Sequence, residues 1–473
     1  MTTRRPPGPK GNLLVGSLRD FGANPPEFLR QLAQTYGGMV HFRLAQYHNH
    51  TYLLADSDYV REVLVTQSDK FEKAPLDRQI LGKFLSNGLL TSEGAFHARQ
   101  RRLAQPAFHM KRIRTYAEVM VAYTDHLLAD WQDGQKRDVA DDMMRLTMHI
   151  VSKTLFDADA VTEAEDTAVS VGRAIHDLQA VSNGDYRRGF VLPNWLPTAG
   201  NRQRKRAIAD YNRTIERIIG ERRATAVNGQ IADNGDLLSM LMLSQDEDGG
   251  YMDDRQLRDE VATLFAAGHE TTSNALSWTW YLLSQNPAAE AKLHAELDAV
   301  LEGRSPTVDD LPHLPYTLQV IKEAMRLYPP AWILNGRTPL TNVEIGGYAI
   351  PQGSMIFIAP YVMHRQPHYF PNPEQFLPER WTPEMEKSLP KYAYMPFGGG
   401  PRVCIGNSFA MMEAQLILAT MAQRVRLRLV AGTAVQPDTL ITMSPAGGLP
   451  MIVAAREPRQ EWKDTELPEL VVV

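Results

Sequence analysis

The sequence predicts a mainly α-helical protein with small β-sheets (α+β), and three observations support this fold class. Helical patterns dominate residues 58–286, with loops expected near residues 73–92 and 181–204. Residues 39–55 alternate and carry β-branched and aromatic side chains, which indicates a β-hairpin. Residues 254–285 contain no proline and one glycine, which favours a single long helix.

The remaining elements follow from local signals. Residues 1–20 form a proline-rich, extended lead-in, and residues 25–37 have helical spacing with a glycine stop. Residues 343–360 predict a second hairpin region, and residues 408–425 predict a helix. No break in composition divides the chain, so we expect residues 1–473 to form one domain.

The composition excludes several classes of protein. The chain is 44% hydrophobic and 22% charged, which is typical of a globular protein. Its 50 basic and 55 acidic residues give a net charge of −5, which argues against a nucleic-acid binder. No stretch of eighteen or more apolar residues exists, and the first residues lack the apolar run of a signal peptide. We therefore expect a soluble, cytoplasmic protein without a membrane span.

The predicted long helix has a polar interruption in its middle. Its 32 residues would span roughly 48 Å, and residues 261–267 are apolar on every face, so it should cross the core. Gly268 then costs about 1 kcal/mol relative to alanine. A buried Glu270 costs more unless it is paired or protonated. Such local conflicts favour a functional site, although a solvated helix face with a harmless acid is the alternative.

Cys404 is the only cysteine, which excludes an intrachain disulfide and a multi-cysteine metal site. It lies before a predicted helix, whose N-terminus favours thiolate over thiol, as does the nearby Arg402. Gly400 and Gly406 allow backbone amides to approach the sulfur or a flat ligand. Three interpretations remain open: a small buried apolar residue, a nucleophile with a histidine base, or a ligand to iron in a macrocycle.

Four motifs carry a resemblance to a known family. Residues 397–406, FGGGPRVCIG, match F-x-x-G-x-R-x-C-x-G at every fixed position. AGHETT at 267–272, E-x-x-R at 323–326 and PERW at 378–381 precede it in the same order as in that family. The sequence therefore resembles the cytochrome P450 family over its whole length. The resemblance implies a cytochrome P450-like fold with one long central helix crossing the core, and haem b as cofactor.

The resemblance also implies residue roles. Cys404 would be the proximal ligand to the haem iron, Thr271 would hydrogen-bond the oxygen, and Glu270 would help deliver protons through water. Three residues, Glu323, Arg326 and Arg380, would form a buried ion network that stabilises the core. The expected cofactor-binding residues are Cys404, Phe397, Arg402, His97, Arg101, Arg337, Ala267, Gly268 and Gly406, with His97 and the three arginines at the haem propionates.

Substrate contacts follow the same resemblance. An apolar pocket implies an apolar substrate, such as a terpenoid, steroid, macrocycle or fatty-acid-like molecule. The hairpin at residues 48–54 holds histidines but no arginine, which disfavours a fatty-acid carboxylate. The expected substrate-binding residues are Phe84, Ala267, Ile333, Leu334 and Met443.

The chain ends about 70 residues after Cys404, without a flavin or iron–sulfur region in that stretch. Without a fused reductase, electrons would come from a separate donor protein: a ferredoxin, a flavodoxin or a flavin reductase. We expect it to dock on the Cys404 side, at a basic patch formed by Arg99, Arg102, Lys111 and Arg112. A monomer is expected.

The leading hypothesis is a monooxygenase that inserts one oxygen atom from O2 into an apolar small molecule. A peroxide-driven or isomerising haem enzyme of the same fold is the first alternative. Such variants often lose the acid–threonine pair, which is intact here as Glu270 and Thr271. A haem-based carrier or sensor and a cysteine hydrolase without haem are the others.

Overall fold

The computed structural model describes residues 5–12, 14–44, 48–157, 165–188, 191–224, 231–246, 249–439 and 441–456. The helices within these ranges are α1 Leu18–Ala23, α2 Pro25–Tyr36, α3 Ser57–Arg61, α4 Pro75–Leu85, α5 Gly94–Ala104, α6 Met110–Ile113, α7 Ala117–Ala129, α8 Val139–Phe156, α9 Glu165–Arg188, α10 Ala199–Ala224, α11 Leu237–Leu243, α12 Asp254–Gln285, α13 Pro287–Leu301, α14 Pro315–Leu327, α15 Pro360–Met363, α16 Pro383–Ser388 and α17 Asn407–Arg424.

Short strands form small sheets beside this helical body. They are β1 Met39–Leu44, β2 His48–Leu54, β3 Phe71–Lys73, β4 Lys136–Asp138, β5 Arg337–Pro339, β6 Val343–Ile345, β7 Tyr348–Ile350, β8 Met355–Ile358, β9 Val425–Leu429, β10 Pro437–Thr439, β11 Met443–Pro445 and β12 Pro450–Ala455. The largest sheet has the order β1-β2-β8-β5-β3, in which only the β2–β8 pair is parallel. The predicted mainly α fold with small sheets is therefore confirmed.

Helix α12 is the central element, and its predicted bounds are those observed. The Asp253 side chain accepts a hydrogen bond from the Gln256 backbone N–H and so caps its first turn. Pro287 begins the next helix and cannot continue this one. Helix α12 packs against α8, α10, α14 and α17, and most of its residues are buried. It thus crosses the helical core as the sequence predicts.

Both predicted hairpins are confirmed, since β1 pairs with β2 and β6 pairs with β7, in antiparallel fashion. The expected loops at 73–92 and 181–204 are wrong in part. Helix α4 occupies the first, because its leucine-rich turns bury Ile80, Leu81, Phe84 and Leu85. Helices α9 and α10 extend into the second and leave a short connection at 191–198.

The lead-in also departs from expectation, because the short helix α1 follows its extended part. Among the residues that the structure describes, no helix combines the length and the apolar character needed to cross a bilayer.

Candidate functional site

A cavity of about 390 Å³ lies between the middle of α12 and the loop that leads into α17. Ala267, Gly268 and Thr271 line it from α12, and Phe397 and Cys404 line it from the loop. Two motifs separated by more than a hundred residues in sequence thus face a common space, because α12 crosses the core beside α17. The cavity is therefore the candidate active site.

The loop before α17 presents the Cys404 thiol to this cavity. The Cys404 backbone N–H donates to the Phe397 carbonyl over 3.0 Å, which closes the loop. Gly400 has φ +65°, and a Cβ there would lie 1.9 Å from the Leu64 carbonyl oxygen, so only glycine fits. The glycines of this motif therefore set the backbone path that aims the sulfur.

The charge state of Cys404 differs in part from expectation. Burial raises the pKa of the thiol, while the Gly406 backbone N–H and the Arg101 guanidinium lower it. Arg101, not Arg402, is thus the cation that acts on the sulfur, because Arg402 pairs with Glu93 instead. The protein's own groups leave the pKa raised, so a metal cation in the cavity is what would draw off the proton.

Four cationic side chains line the cavity, and we call them the cavity cations: Lys73, Arg101, Arg337 and Arg402. Of these four, only Arg402 makes an ion pair with a carboxylate in the described part of the chain, to Glu93. Arg101 donates to the Val403 carbonyl at 2.7 Å and Arg337 to the Asn335 carbonyl at 2.5 Å. Backbone carbonyls are polar partners, but they do not neutralise a cation.

The excess of positive charge over carboxylates in the cavity is clearest at Lys73 and Arg337. They are directly opposite each other across the β3–β5 ladder, although like charges in that position repel. Burial, together with the nearby Arg402, lowers the pKa of Lys73 to about 7. Glu93 and Asp77 are the carboxylates close enough to offset this, and burial raises the pKa of Asp77. Buried cations in this state fit an anionic ligand with more than one carboxylate.

His97 also lines the cavity, from α5. It is 6% exposed, and burial together with Arg402, Lys73 and Arg101 lowers its pKa to about 3. The imidazole is therefore neutral at neutral pH, and it offers one N–H donor to a carboxylate without adding positive charge.

Ala267, Gly268 and Thr271 line the cavity on the α12 side. A Cβ at Gly268 would lie 3.3 Å from Val151 of α8, so this glycine also permits the close approach of two helices. The Thr271 hydroxyl donates to the Ala267 carbonyl at 2.9 Å, one turn earlier in the helix. The hydroxyl hydrogen is used in that bond, so the lone pairs of the hydroxyl oxygen remain available to accept a hydrogen bond.

Glu270 lies in a polar network that the sequence did not predict. Thr442, which precedes β11, donates its hydroxyl to Glu270 Oε1 at 2.5 Å. Gln179 of α9 donates its side-chain Nε2 to Glu270 Oε2. Asn274, one turn along α12, donates to the Thr442 hydroxyl oxygen at 3.1 Å. Gln179, Glu270 and Thr442 all line the cavity.

Three predicted substrate contacts, Phe84, Ile333 and Leu334, do line the cavity. The expectation for Met443 is wrong, because this side chain is fully buried in a separate apolar cluster with Trp278 and Trp332. Successive residues of an extended chain point to opposite sides, and the preceding Thr442 is the one that reaches the cavity.

The predicted ion network forms as expected outside the cavity, and we call it the Glu323 cluster: Glu323, Arg326 and Arg380. Both oxygens of the Glu323 carboxylate accept hydrogen bonds from Arg326 at 2.9 Å, and Arg380 donates to one of them at 2.9 Å. The Trp381 indole N–H donates at 3.0 Å. Glu323 and Arg326 are fully buried, so this network joins α14 to the segment around residue 380.

The predicted basic patch is partly neutralised. Arg99 pairs with Asp246, and Arg112 pairs with Asp233, each at 2.7 Å. Arg102 and Lys111 are exposed. The patch therefore carries less net positive charge than its sequence indicates.

A thiol faces a glycine–acid–threonine helix across a largely apolar cavity. Beside it, three of the four cavity cations have no carboxylate partner among the described residues. This arrangement suits a haem-dependent oxygenase. The comparisons with known proteins agree. The cytochrome P450 family model matches residues 6–448, and the chain belongs to the cytochrome P450 family. Its cofactor is accordingly haem, and its activity is that of a monooxygenase.

The chain is similar to several Streptomyces enzymes. It is 41% identical to cyclooctatin synthase of Streptomyces melanosporofaciens, over 95% of both chains. It is 39% identical to cyclooctat-9-en-7-ol 5-monooxygenase of the same organism, over 94% of both. Pentalenene oxygenase of Streptomyces avermitilis is 33% identical, over 94% of this chain and 96% of that one.

The fold is also that of a solved structure, the crystal structure of the cytochrome P450DA heme domain. The TM-score is 0.85 at 28% identity, and the alignment covers 98% of this chain and 100% of that one.

Proposed function

We propose that this monooxygenase hydroxylates a cyclic terpenoid, and that Cys404 would bind the iron of its haem. The observation that carries the proposal is the position of Cys404, which faces α12 across a largely apolar cavity. The similarity to enzymes named for terpenoid products and substrates supports the substrate class. In the reaction, one atom of O2 enters a C–H bond, and the other leaves as water with two electrons and two protons.

When bound, the haem would supply the redox chemistry that activates O2, and a thiolate ligand would tune the iron for this chemistry. The chain's contribution begins at Cys404. The Gly406 backbone N–H and the Arg101 guanidinium both stabilise negative charge on the sulfur. Phe397, whose carbonyl accepts from the Cys404 N–H, lines the cavity together with Cys404.

The cavity cations and His97 would hold the haem carboxylates. Arg337 is 8% exposed and makes no ion pair among the described residues. A haem carboxylate would therefore neutralise its charge. Its planar guanidinium suits two parallel hydrogen bonds to one carboxylate. Lys73 is opposite Arg337 in the β3–β5 pair, and it would interact with the same carboxylate as a point charge. The neutral His97 would donate one hydrogen bond.

Thr271 and Glu270 would handle protons on the α12 side. The Thr271 hydroxyl, anchored to the Ala267 carbonyl, would accept a hydrogen bond at the oxygen-binding face, and it would donate one there only after releasing that carbonyl. Glu270, one residue earlier, would pass protons to that face through water. Ala267 and Gly268 carry little or no side chain, so they would leave room there for a diatomic molecule.

The apolar wall would bind the terpenoid. Phe84 lies on α4, and Ile333 and Leu334 follow α14. Burying hydrocarbon surface against these side chains stabilises the complex by about 25 cal/mol per Å². Carbon skeletons without charge are therefore favoured over charged molecules at this wall.

Electrons would come from a separate carrier protein that docks on the Cys404 side. The exposed Lys111 suits an acidic partner, whereas Arg99 and Arg112 already have acidic partners within the chain. Reversing the charge of Lys111 should therefore slow reduction at low salt more than reversing that of Arg99. Equal rates for the two variants and wild type would contradict this docking face.

The proposed role of Cys404 as the iron ligand is tested by the absorption spectrum of the reduced, carbon monoxide-bound protein. Wild type should show the strongly red-shifted Soret band of thiolate-ligated haem, and Cys404→Ser should lose that band. The Thr271→Ala variant is the second arm. It should keep the band but divert electrons from product to peroxide. A Cys404→Ser protein with an unchanged spectrum would overturn the proposal.

A further inference from the structure

The polar network around Glu270 ends in a hydrogen-bond acceptor at the cavity wall. The hydrogen bonds of this network are donated toward Glu270. Asn274 donates to the Thr442 oxygen, so the Thr442 hydrogen is directed to Glu270 Oε1. Gln179 presents its side-chain NH2 group to Glu270 Oε2. The carbonyl oxygen of Gln179 therefore points away from Glu270.

That carbonyl oxygen has no hydrogen bond from any group in the described part of the chain. Gln179 lines the cavity, whose wall also contains apolar side chains of α4 and α8: Leu81, Phe84, Val151 and Leu155. An amide oxygen at a largely apolar wall, without a donor from the described residues, is free to accept a hydrogen bond from a ligand. A ligand O–H group at this position would satisfy it, whereas a hydrocarbon would not.

We infer that Gln179 reads a hydroxyl group already present on the substrate, and that this enzyme oxidises a terpenoid alcohol instead of the parent hydrocarbon. This inference rests on the proposed function, whose substrate class it narrows. The recognition distinguishes donors from acceptors, because the free group of Gln179 is an acceptor. An alcohol should therefore bind better than the ketone at the same carbon.

The reaction of this enzyme would then follow another reaction that produces its substrate. The substrate must come from a reaction that installs a hydroxyl group on a cyclised terpenoid, such as an earlier hydroxylation or a cyclisation that ends with capture of water. The product then carries a second oxygen function.

The experiment compares three ligands that share one fused polycyclic diterpene skeleton: the alcohol, the ketone and the hydrocarbon. Binding to the haem-loaded wild type is measured by spin-state titration and, independently of the spectrum, by equilibrium dialysis. The alcohol should bind about threefold to tenfold more tightly than either of the others, because only its O–H group can donate to the Gln179 carbonyl and a hydrogen bond contributes about that much. In Gln179→Met, which is similar in size but lacks the amide, the three affinities should converge to within about twofold.

Thr442→Val is the matched control. It removes a donor to Glu270 but leaves the Gln179 carbonyl in place, so the preference for the alcohol should remain. A wild type that binds all three ligands equally well overturns the inference and leaves the proposed function standing. A wild type that binds none of them overturns the proposed substrate class, and the inference with it. The wild-type comparison decides the matter even where a variant fails to fold.

Discussion

The Glu323 cluster and the cavity cations are both groups of buried charges, and they differ in how completely each is paired. In the Glu323 cluster, one carboxylate accepts from two arginines and an indole, and the remaining guanidinium hydrogens meet backbone carbonyls such as those of His364 and Gln375. Among the cavity cations, Lys73, Arg101 and Arg337 make no ion pair within the described residues.

The difference separates charges that stabilise the fold from charges that bind a ligand. A buried charge is costly unless its partners are close and well oriented. The Glu323 cluster meets that requirement from within the chain, so it depends on nothing that binds. The cavity cations do not, so their missing carboxylates are expected on the cofactor. This contrast makes opposite predictions for substitutions in the two groups.

The largest expected effect is in the Glu323 cluster. Glu323→Gln should lower the free energy of unfolding by about 3–5 kcal/mol, because it leaves Arg326 and Arg380 without their counter-charge in the core. Urea unfolding measures the change. The control is Glu379→Gln, which breaks a half-exposed pair with Lys292 and should cost at most about 1 kcal/mol. Similar losses in the two variants would remove the contrast on which this account depends.

Arg337→Leu should have the opposite character. The apoprotein should be no less stable than wild type, because the variant removes a buried cation that lacks an ion pair. Haem should be lost at least about tenfold faster, since a charge-assisted hydrogen bond is absent. Haem transfer to apomyoglobin and urea unfolding of the apoprotein are the two measurements. Arg213→Leu, at an exposed position on α10, is the control and should change neither.

A destabilised Arg337→Leu apoprotein that still holds haem at the wild-type rate would assign Arg337 to the structural group.

Lys73 should produce a smaller, pH-dependent effect. Its pKa is lowered to about 7 in the fold, from 10.5 in the unfolded chain, so between these values the unfolded state binds more protons. The stability of the apoprotein should therefore rise with pH from about 7 to 10, by at most about 1.4 kcal/mol per unit. Lys73→Met should remove this part of the slope, and bound haem should weaken it, because a carboxylate keeps the lysine charged.

Unfolding free energies at several pH values, with and without haem, measure that slope. A slope that is the same in wild type and in Lys73→Met would contradict the assigned environment of Lys73.

Local patterns predicted the parts of the fold and site that depend on neighbours in sequence. The bounds of α12 follow from an uninterrupted helical stretch between Asp253 and Pro287, and Glu323 and Arg326 are one helical turn apart. The Cys404 loop is likewise encoded by glycines that fit a single backbone path. Roles assigned to the individual site residues remain predictions that the experiments above address.

Contacts between segments that are far apart in the chain could not be predicted from the sequence. Lys73 reaches the cavity only because β3 pairs with β5, and no local pattern near residue 73 indicates that strand pairing. Gln179 and Thr442 meet at Glu270 from segments far apart in sequence. Met443 lies one residue away from Thr442, the side chain that lines the cavity, and a short, weakly patterned strand does not reveal which of its faces is turned inward.

The most direct test of the central claim compares the affinity of the apoprotein for haem and for haem dimethyl ester. The ester keeps the iron and the macrocycle but lacks both negative charges. This account predicts that wild type binds haem at least about tenfold more tightly than the ester, and that the ratio falls toward one in Arg337→Leu. Equal affinity of the wild-type apoprotein for the two compounds would contradict it.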